Sequence, residues 1–159
     1  MSADNLAGRT KERYFEDFLP GSVSEYGEIR VTEAEIIEFA RRYDPQYLHV
    51  DQKTAARGPF GGLIASGWQT VALMMRLLVD GFLPKAASLG SPGIDELRWL
   101  KPVRPGDVLH IRVTVLDATA SRSRSDQGVV RTLVEVLNQD RDVVMSLKPM
   151  NIFRRRSQS

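Results

Sequence analysis

The stretch that decides the fold is Ser66-Gly67-Trp68-Gln69-Thr70-Val71-Ala72-Leu73-Met74-Met75-Arg76-Leu77-Leu78-Val79-Asp80. Ser66 and Gln69 form a capping-box pattern, so we expect a helix that runs to about Asp80, with Gly81 as its C-terminal stop. The helix is apolar on nearly every face, which predicts burial all round. It is shorter than the roughly 20 residues that a membrane span requires. The rest of the chain must therefore wrap this helix.

The second half of the chain supplies most of the wrapping segments. With an early strand at 22–31, four segments rich in Val, Ile, Leu and Thr make about five strands. The four segments are 88–100, 107–117, 128–138 and 142–153. Leu109, Ile111 and Val113 alternate with polar residues, as in a half-buried antiparallel strand. One apolar helix against a curved antiparallel sheet is an α+β architecture.

Length and composition favour one globular domain without thiol chemistry. The 159 residues are 42% hydrophobic and 26% charged, which is usual for a folded domain of this size. We expect flexible tails at 1–13 and 154–159 around a single domain at 14–153. The absence of cysteine excludes disulfides, thiolate metal sites and cysteine nucleophiles. The polar N-terminus resembles neither a secretory signal nor a membrane anchor, so we expect a cytoplasmic protein without a membrane partner.

The positive charge of the chain is concentrated in two places. Without Arg154, Arg155 and Arg156 the formal net charge changes from +2 to −1, so no broad nucleic-acid-binding face is expected. Between residues 98 and 131, seven basic side chains stand against three acidic ones. This excess is either a set of ordinary exposed positions or a patch for a phosphorylated small molecule.

Asp44 and His49 are the first candidates for chemistry. A helix begins after Thr32, in another capping-box pattern, and Pro45 ends it. The two candidates follow, five positions apart, in the compact irregular segment 44–51. A carboxylate beside an imidazole forms an acid–base pair that works near neutral pH. Taken without context, the same residues also fit a packing histidine and a helix-terminating carboxylate.

Other side chains give weaker signals. Ser66 is expected to be an N-cap, because the glycine that a nucleophile elbow requires two residues earlier is absent. Asp51 could bind a metal together with His49, but the sequence offers no third credible ligand, so no metal is expected. The pair Met74-Met75 is predicted to fill the core, and His110 to lie on the surface.

Three stretches resemble one known family. They are Tyr43-Asp44-Pro45-Gln46-Tyr47-Leu48-His49-Val50-Asp51, Phe60-Gly61-Gly62-Leu63-Ile64-Ala65-Ser66-Gly67-Trp68 and Lys101-Pro102-Val103-Arg104-Pro105-Gly106-Asp107. They resemble the MaoC-like dehydratases, which are similar to (R)-specific enoyl-CoA hydratases, and the nodulation protein N branch. The resemblance implies a hotdog fold, in which the sheet wraps the long central helix, and a homodimer or a higher assembly of dimers. Strands that are apolar on both faces, such as Val130 against Leu133, agree with a dimer.

The resemblance also implies an activity. In this family, residues corresponding to Asp44 and His49 hold a water that adds across the 2,3 double bond of an enoyl-CoA thioester. The same residues catalyse the reverse reaction, the dehydration of a 3-hydroxyacyl-CoA. The Gly67 amide, in the first turn of the central helix, is the expected donor to the thioester oxygen. CoA enters with the substrate, so no separate cofactor is implied. Its phosphates are expected to face three basic residues, Arg98, Lys101 and Arg104.

Three positions depart from the family pattern. Better-characterised hydratases usually carry Asn and then Pro where this chain has Gln46 and Tyr47, and a serine of some members corresponds to Met75. These departures leave the Asp–His pair intact and the acyl group open. Two other functions also stay open, an acyl-CoA thioesterase and a non-catalytic acyl-thioester binding module.

Overall fold

A five-stranded antiparallel sheet, in the order β1-β3-β4-β5-β2, is the frame of the protein. The computed structural model describes residues 12–157. The strands are β1 (Val23–Arg30), β2 (Gly93–Trp99), β3 (Val108–Ala120), β4 (Gln127–Leu137) and β5 (Val143–Arg154). The α-helices in the described chain are α1 (Glu33–Tyr43), α2 (Tyr47–Val50), α3 (Gln52–Ala56) and α4 (Gly67–Leu77). The predicted α+β architecture is confirmed.

Side-chain caps start the two longer helices. The Thr32 hydroxyl accepts from the Glu35 amide at 3.2 Å and the Glu35 carboxylate accepts from the Thr32 amide at 3.4 Å, so the capping box of α1 is confirmed. At α4 the Ser66 hydroxyl accepts from the Trp68 amide at 3.3 Å. Gln69 does not complete a second capping box: its side chain is buried, and its Oε1 makes no hydrogen bond.

The predicted helix stop at Gly81 is wrong. A π-helical turn over Leu78–Phe82 continues α4, so Gly81 lies inside the helical path. The aromatic ring of Tyr26 packs on Gly81, where an added Cβ would stand 2.6 Å from Cγ of the ring. The absence of a side chain at Gly81 therefore allows β1 to lie close to the end of the helix.

The hydrophobic core lies between α4 and one face of the sheet. Leu109, Ile111 and Val113 are fully buried, which confirms the predicted alternation along β3. The same face of β4 adds three more fully buried side chains, Val130, Val134 and Val136. Met74 and Leu77 of α4 belong to this cluster. Each such side chain stabilises the fold by roughly 1.5–3 kcal/mol through removal of apolar surface from water.

One face of α4 is not covered within the chain. Trp68 is 58% exposed, Met75 44% and Val79 49%, so the predictions that this helix is buried all round and that Met75 fills the core are wrong for a single chain. No helix in the described part of the chain is long and apolar enough to cross a membrane.

The arginines at the C-terminal end are held by the body of the protein. Arg154 is the last residue of β5, Arg155 Nε lies 3.0 Å from Glu16 Oε1, and Arg156 Nη2 lies 2.6 Å from Asp17 Oδ2. The predicted flexible tail at 154–159 is therefore wrong for its first three residues. At the other end of the chain the Arg13 guanidinium packs on aromatic rings of the core. Residues 1–11 of the predicted tail 1–13 lie outside the described residues, as do residues 158 and 159.

Candidate active site

The structure brings Asp44 and His49 into contact. Asp44 is the C-cap of α1, Pro45 ends that helix, and His49 lies in the single turn of α2 rather than in an irregular loop. His49 Nε2 is 3.3 Å from Asp44 Oδ2, and the two side chains are only 6% and 18% exposed. Pro45 lies in a tight turn, in which the backbone amide of Gln46 donates to the Asp44 carbonyl at 2.8 Å. This turn brings Asp44 and His49 together, although they are five residues apart in the chain.

The orientation of the His49 ring is fixed from its far side. Nδ1 lies 2.7 Å from the carbonyl oxygen of Ile64. A carbonyl can only accept a hydrogen bond, so Nδ1 carries a proton, and Nε2 is the ring nitrogen that can carry and exchange a second proton in front of Asp44. The Ile64 amide donates to the carbonyl of Leu48 at 3.1 Å, so the loop that holds the imidazole is itself tied to α2.

Both oxygens of the Asp44 carboxylate accept hydrogen bonds. The side-chain nitrogen Nε2 of Gln46 donates to Oδ1 at 2.7 Å, and the Ser66 hydroxyl donates to Oδ2 at 2.7 Å. These two bonds, with a smaller contribution from His49, hold the pKa of the Asp44 carboxyl below its usual range. Asp44 is therefore ionised at neutral pH and ready to accept a proton.

Gln46 and Ser66 are contacts that the sequence did not assign to the site. Gln46 stands where the family pattern has Asn, and its position two residues after Asp44 was the only local signal. Ser66 was expected to act solely as a helix cap. Its second contact joins residues 22 positions apart, which no local pattern encodes.

Gly67 lies beside the acid–base pair, at the first helical position of α4. An N–H at this position has no acceptor inside its own helix, and the helix dipole is positive here. The indole of Trp99 packs against this glycine, where an added Cβ would lie 2.5 Å from Nε1 and 2.9 Å from Cδ2. Trp99 meets Trp68 edge to face, with ring centroids 5.3 Å apart. Glycine is thus required here by the packing of Trp99.

These groups open into a pocket of about 370 Å³. The polar side chains of its lining are Asp44, Gln46, His49, Thr70 and Lys101, and Gly67 contributes backbone. Its walls are largely apolar and include Phe60, Ile64, Trp68, Trp99, Leu100 and Pro102. An apolar pocket with a few convergent polar groups suits an acyl group whose reacting atoms are held at one end.

The three basic residues proposed for CoA phosphates do not converge in the chain. Lys101 lines the pocket, and its Nζ is 3.1 Å from Asp142 Oδ2. The Arg104 guanidinium instead donates to the Phe60 carbonyl at 2.7 Å and so holds the loop above the pocket. Arg98 is exposed on β2 and does not line the pocket.

The remaining candidates have structural contacts of their own. Asp51 caps α3, where its carboxylate accepts from the Thr54 amide at 3.1 Å and from the Thr54 hydroxyl at 2.7 Å. His110 Nε2 lies 3.4 Å from Nη1 of Arg141, and the ring does not line the pocket. Across residues 12–157 there is no group of three or more His, Cys, Asp or Glu residues arranged to hold a metal ion.

A sheet wrapped on one central helix, with an acid–base pair at the start of that helix, defines a hotdog-fold protein with a site for proton transfer. The chain belongs to the MaoC-like family, since the family model described as the MaoC like domain matches residues 18–138. The family and the hotdog fold predicted from the sequence are thereby confirmed.

Three similar proteins illustrate the relationship. A MaoC-like dehydratase from Rhodospirillum rubrum superimposes with a TM-score of 0.83 at 38% identity, over 92% of this chain and 99% of that one. YdeM, an uncharacterized protein of Bacillus subtilis, is 35% identical over 125 residues, or 78% of this chain and 86% of YdeM. The 3-hydroxyacyl-thioester dehydratase Z of Mycobacterium tuberculosis is 33% identical over 110 residues, which cover 68% of this chain and 73% of that protein.

Proposed function

We propose that this protein is an (R)-specific enoyl-CoA hydratase or 3-hydroxyacyl-CoA dehydratase. The observation that carries the proposal is the contact between Asp44 Oδ2 and His49 Nε2 at 3.3 Å, in the same pocket as the Gly67 amide. The relatives named as dehydratases of 3-hydroxyacyl thioesters and of 3-hydroxybutyryl-CoA support the same chemistry.

The proposed hydration needs one base, one acid and one donor to an oxyanion. The Asp44 carboxylate takes a proton from water while the water oxygen bonds to Cβ of the enoyl group. The electron pair of the double bond moves toward the thioester carbonyl, whose oxygen becomes an enolate oxygen beside the Gly67 amide. Cα then takes a proton from Nε2 of His49, which begins the step as an imidazolium with a proton on each ring nitrogen. Transfer of the proton from Asp44 to His49 across their short contact returns the site to its starting state.

Kinetics with single substitutions test the proposal. With crotonyl-CoA and longer enoyl-CoAs, wild-type protein is expected to remove the enoyl absorbance. Asp44→Asn and His49→Ala are each expected to lower kcat by about 100-fold or more, as for loss of a general acid or base. Asp51→Asn and His110→Ala are matched controls of the same residue types outside the pocket, and both should keep near wild-type rates. Equal rates in the wild type and the two site variants would refute the proposal.

The two alternative functions are separate outcomes of the same assay. An acyl-CoA thioesterase would release free CoA thiol, which a thiol reagent detects, while a hydratase leaves the thioester intact. A non-catalytic binding module would bind acyl-CoA in calorimetry and turn over neither enoyl nor acyl substrates.

We also propose that Lys101 binds the phosphates of CoA at the mouth of the pocket. Lys101 lines the pocket and its side chain is 53% exposed although it pairs with Asp142, whereas Arg104 is bound to the Phe60 carbonyl and Arg98 lies outside the pocket. Lys101→Ala is expected to raise KM with little change in kcat, and added salt should weaken the difference. An unchanged KM would exclude Lys101 from this role.

A second copy of the chain is the proposed partner of the protein. The exposed apolar face of α4, formed by Trp68, Met75 and Val79, lies beside β2, which is an edge strand of the sheet. An apolar helix face and an unpaired strand edge both favour association with a complementary surface. A homodimer that covers α4 and extends the sheet at β2 satisfies both.

A further inference from the structure

The hydroxyl of Ser66 connects the start of α4 with the Asp44 carboxylate. The side chain is fully buried, with 0% exposure. Its Oγ donates to Asp44 Oδ2 at 2.7 Å and accepts from the Trp68 amide at 3.3 Å. A serine hydroxyl has a single proton, and the amide nitrogen can only donate to it. The direction of both bonds is therefore fixed, with the proton on the side of the carboxylate.

The hydrogen bond from Ser66 sets the orientation of the Asp44 carboxylate about its bond to Cβ. Gln46 holds Oδ1, and Ser66 holds Oδ2, the oxygen that faces His49 Nε2. Without Ser66, Gln46 would still hold Oδ1, but Oδ2 would keep only its longer contact with His49 at 3.3 Å, so the carboxylate could turn more easily about its bond to Cβ. Oδ2 would then leave the line toward His49. A bond from a neutral donor to an ionised acceptor in a buried place is among the stronger hydrogen bonds of a protein.

The same hydroxyl belongs to the element that carries the Gly67 amide. Ser66 is the residue before Gly67, and its bond to the Trp68 amide fixes the first turn of α4. The proposed base and the proposed oxyanion donor come from two separate segments of the chain, and Ser66, which is 22 residues from Asp44, joins them directly. Reacting groups lose much of their effect when they are displaced by about 1 Å.

We propose that Ser66 is a positioning residue of this site, whose hydroxyl holds Asp44 Oδ2 toward His49 and in register with the Gly67 amide. Ser66 does not touch the reacting atoms and acts through Asp44. The kinetic part of this inference rests on the proposed hydratase function. Its structural part, the control of the Asp44 carboxylate, does not.

The first experiment follows the carboxylate itself. Carbon-13 NMR titration of the side-chain carboxyl groups is compared between the wild type and Ser66→Ala. The loss of a donor to the charged form is expected to raise the pKa of Asp44 by about one unit. Besides Asp44, the titratable groups that line the pocket are His49 and Lys101, and both are kept in this variant.

The second experiment uses enoyl-CoA kinetics as a function of pH. In Ser66→Ala, kcat is expected to fall about 10-fold with KM nearly unchanged, because positioning affects the reaction more than binding. The acidic limb of the kcat/KM profile is expected to move to higher pH, since the proposed base must be ionised and its pKa has risen. Ser66→Cys keeps a side chain of similar shape that is a weaker hydrogen-bond donor. Its kcat and its pH profile should lie between those of the wild type and those of Ser66→Ala.

The matched control is Thr32→Ala, which removes the N-cap of α1 at the end of the helix far from Asp44. Both alanine variants should unfold at a lower temperature, because each helix loses a cap. Only Ser66→Ala should change the Asp44 titration and the pH profile. If the two variants behave alike, or if the Asp44 titration is the same in Ser66→Ala and the wild type, Ser66 is a helix cap and nothing more.

The two experiments separate this inference from the proposed function. A wild-type protein without turnover would overturn the hydratase proposal and the kinetic role of Ser66 with it. The NMR titration would still report whether Ser66 holds the carboxylate. If Ser66→Ala does not fold, the titration and the pH profile of Ser66→Cys decide the question, and wild-type values in that variant would overturn the inference.

Discussion

At the scale of single residues, the Asp44 carboxylate is surrounded by donors from three parts of the chain. Gln46 lies in the loop after α1, His49 in α2, and Ser66 at the start of α4. Their hydrogen bonds lower the pKa of Asp44, which keeps it ionised but also makes it a weaker base. The effect of Asp44 on a substrate must therefore come from its position beside His49 and the Gly67 amide, and less from its basicity.

Gly67→Ala tests the packing of this site at one residue. The added Cβ would stand 2.5 Å from Nε1 of Trp99, so the indole must move. We expect the free energy of unfolding to fall by about 1–3 kcal/mol, the usual effect of overpacking, although alanine favours a helix more than glycine does. Urea denaturation measures this loss. In the double variant Gly67→Ala, Trp99→Ala, the part of the loss that comes from overlap between the new Cβ and the indole should be absent.

Gly62→Ala is the control for this prediction. A Cβ at position 62 would make only an ordinary contact, 3.7 Å from Nη1 of Arg104. Its stability should stay close to that of the wild type. If Gly67→Ala were as stable as Gly62→Ala, Trp99 would not lie against the start of α4.

At the scale of secondary structure elements, α4 and β1 interlock at the end of the helix. The pairing of β1 with β3 shifts register between Tyr26 and Ile29, and Gly27 in this irregularity has a φ of +78°. The side chain of Leu77 fills the space next to Gly27, while the ring of Tyr26 fills the space next to Gly81. Two glycines, one on each element, allow the helix and the strand to approach each other closely.

Gly27→Ala is expected to damage this contact between elements. The substitution combines an unfavourable positive φ with a collision against Leu77, whose Cγ would be 3.2 Å from the new Cβ. Gly21→Ala is a matched control, since Gly21 has a φ of +87° but no neighbour within 4 Å of the added Cβ. Chemical denaturation should show that Gly27→Ala loses at least about 1 kcal/mol more than Gly21→Ala. Equal losses would contradict the close packing of Leu77.

At the scale of the whole molecule, the uncovered face of α4 determines the expected assembly. Its side chains, Trp68, Met75 and Val79, would be costly to leave in water, and Trp68 already contacts Trp99 on the edge strand β2. The same two tryptophans line the pocket. A partner that covers this face would therefore also enclose the pocket.

Met75→Lys is expected to weaken the proposed homodimer. Burial of an unpaired ammonium in an apolar interface is unfavourable, so sedimentation velocity should show a shift toward the 17.8 kDa monomer. Leu116→Lys is the control, because Leu116 is 43% exposed on β3, outside the proposed interface. A wild type that sediments as a monomer, or two variants that shift equally, would exclude α4 as the interface.

Local patterns in the sequence were sufficient for the two longer helices, for the five strands and for one contact of the site. The Thr32 capping box, the alternation of Leu109 and Ile111, and the short separation of Asp44 from His49 all depend on residues close together in the chain. Such local patterns directly determine the conformation of the backbone, including the turn at Pro45. These features were predicted correctly for that reason.

The tertiary structure decided what the distant parts of the chain do for one another. Ser66 reaches Asp44, Trp99 covers Gly67, and Arg155 binds Glu16 across 139 residues. The arginine run looked like a solvated tail because its partners are absent from its own neighbourhood in the sequence. The sequence by itself determined the helix, the strands and the acid–base pair, since each is specified by local spacing. The surroundings of that pair depended on the register of the sheet and the packing of α4, which bring together side chains that no local pattern relates.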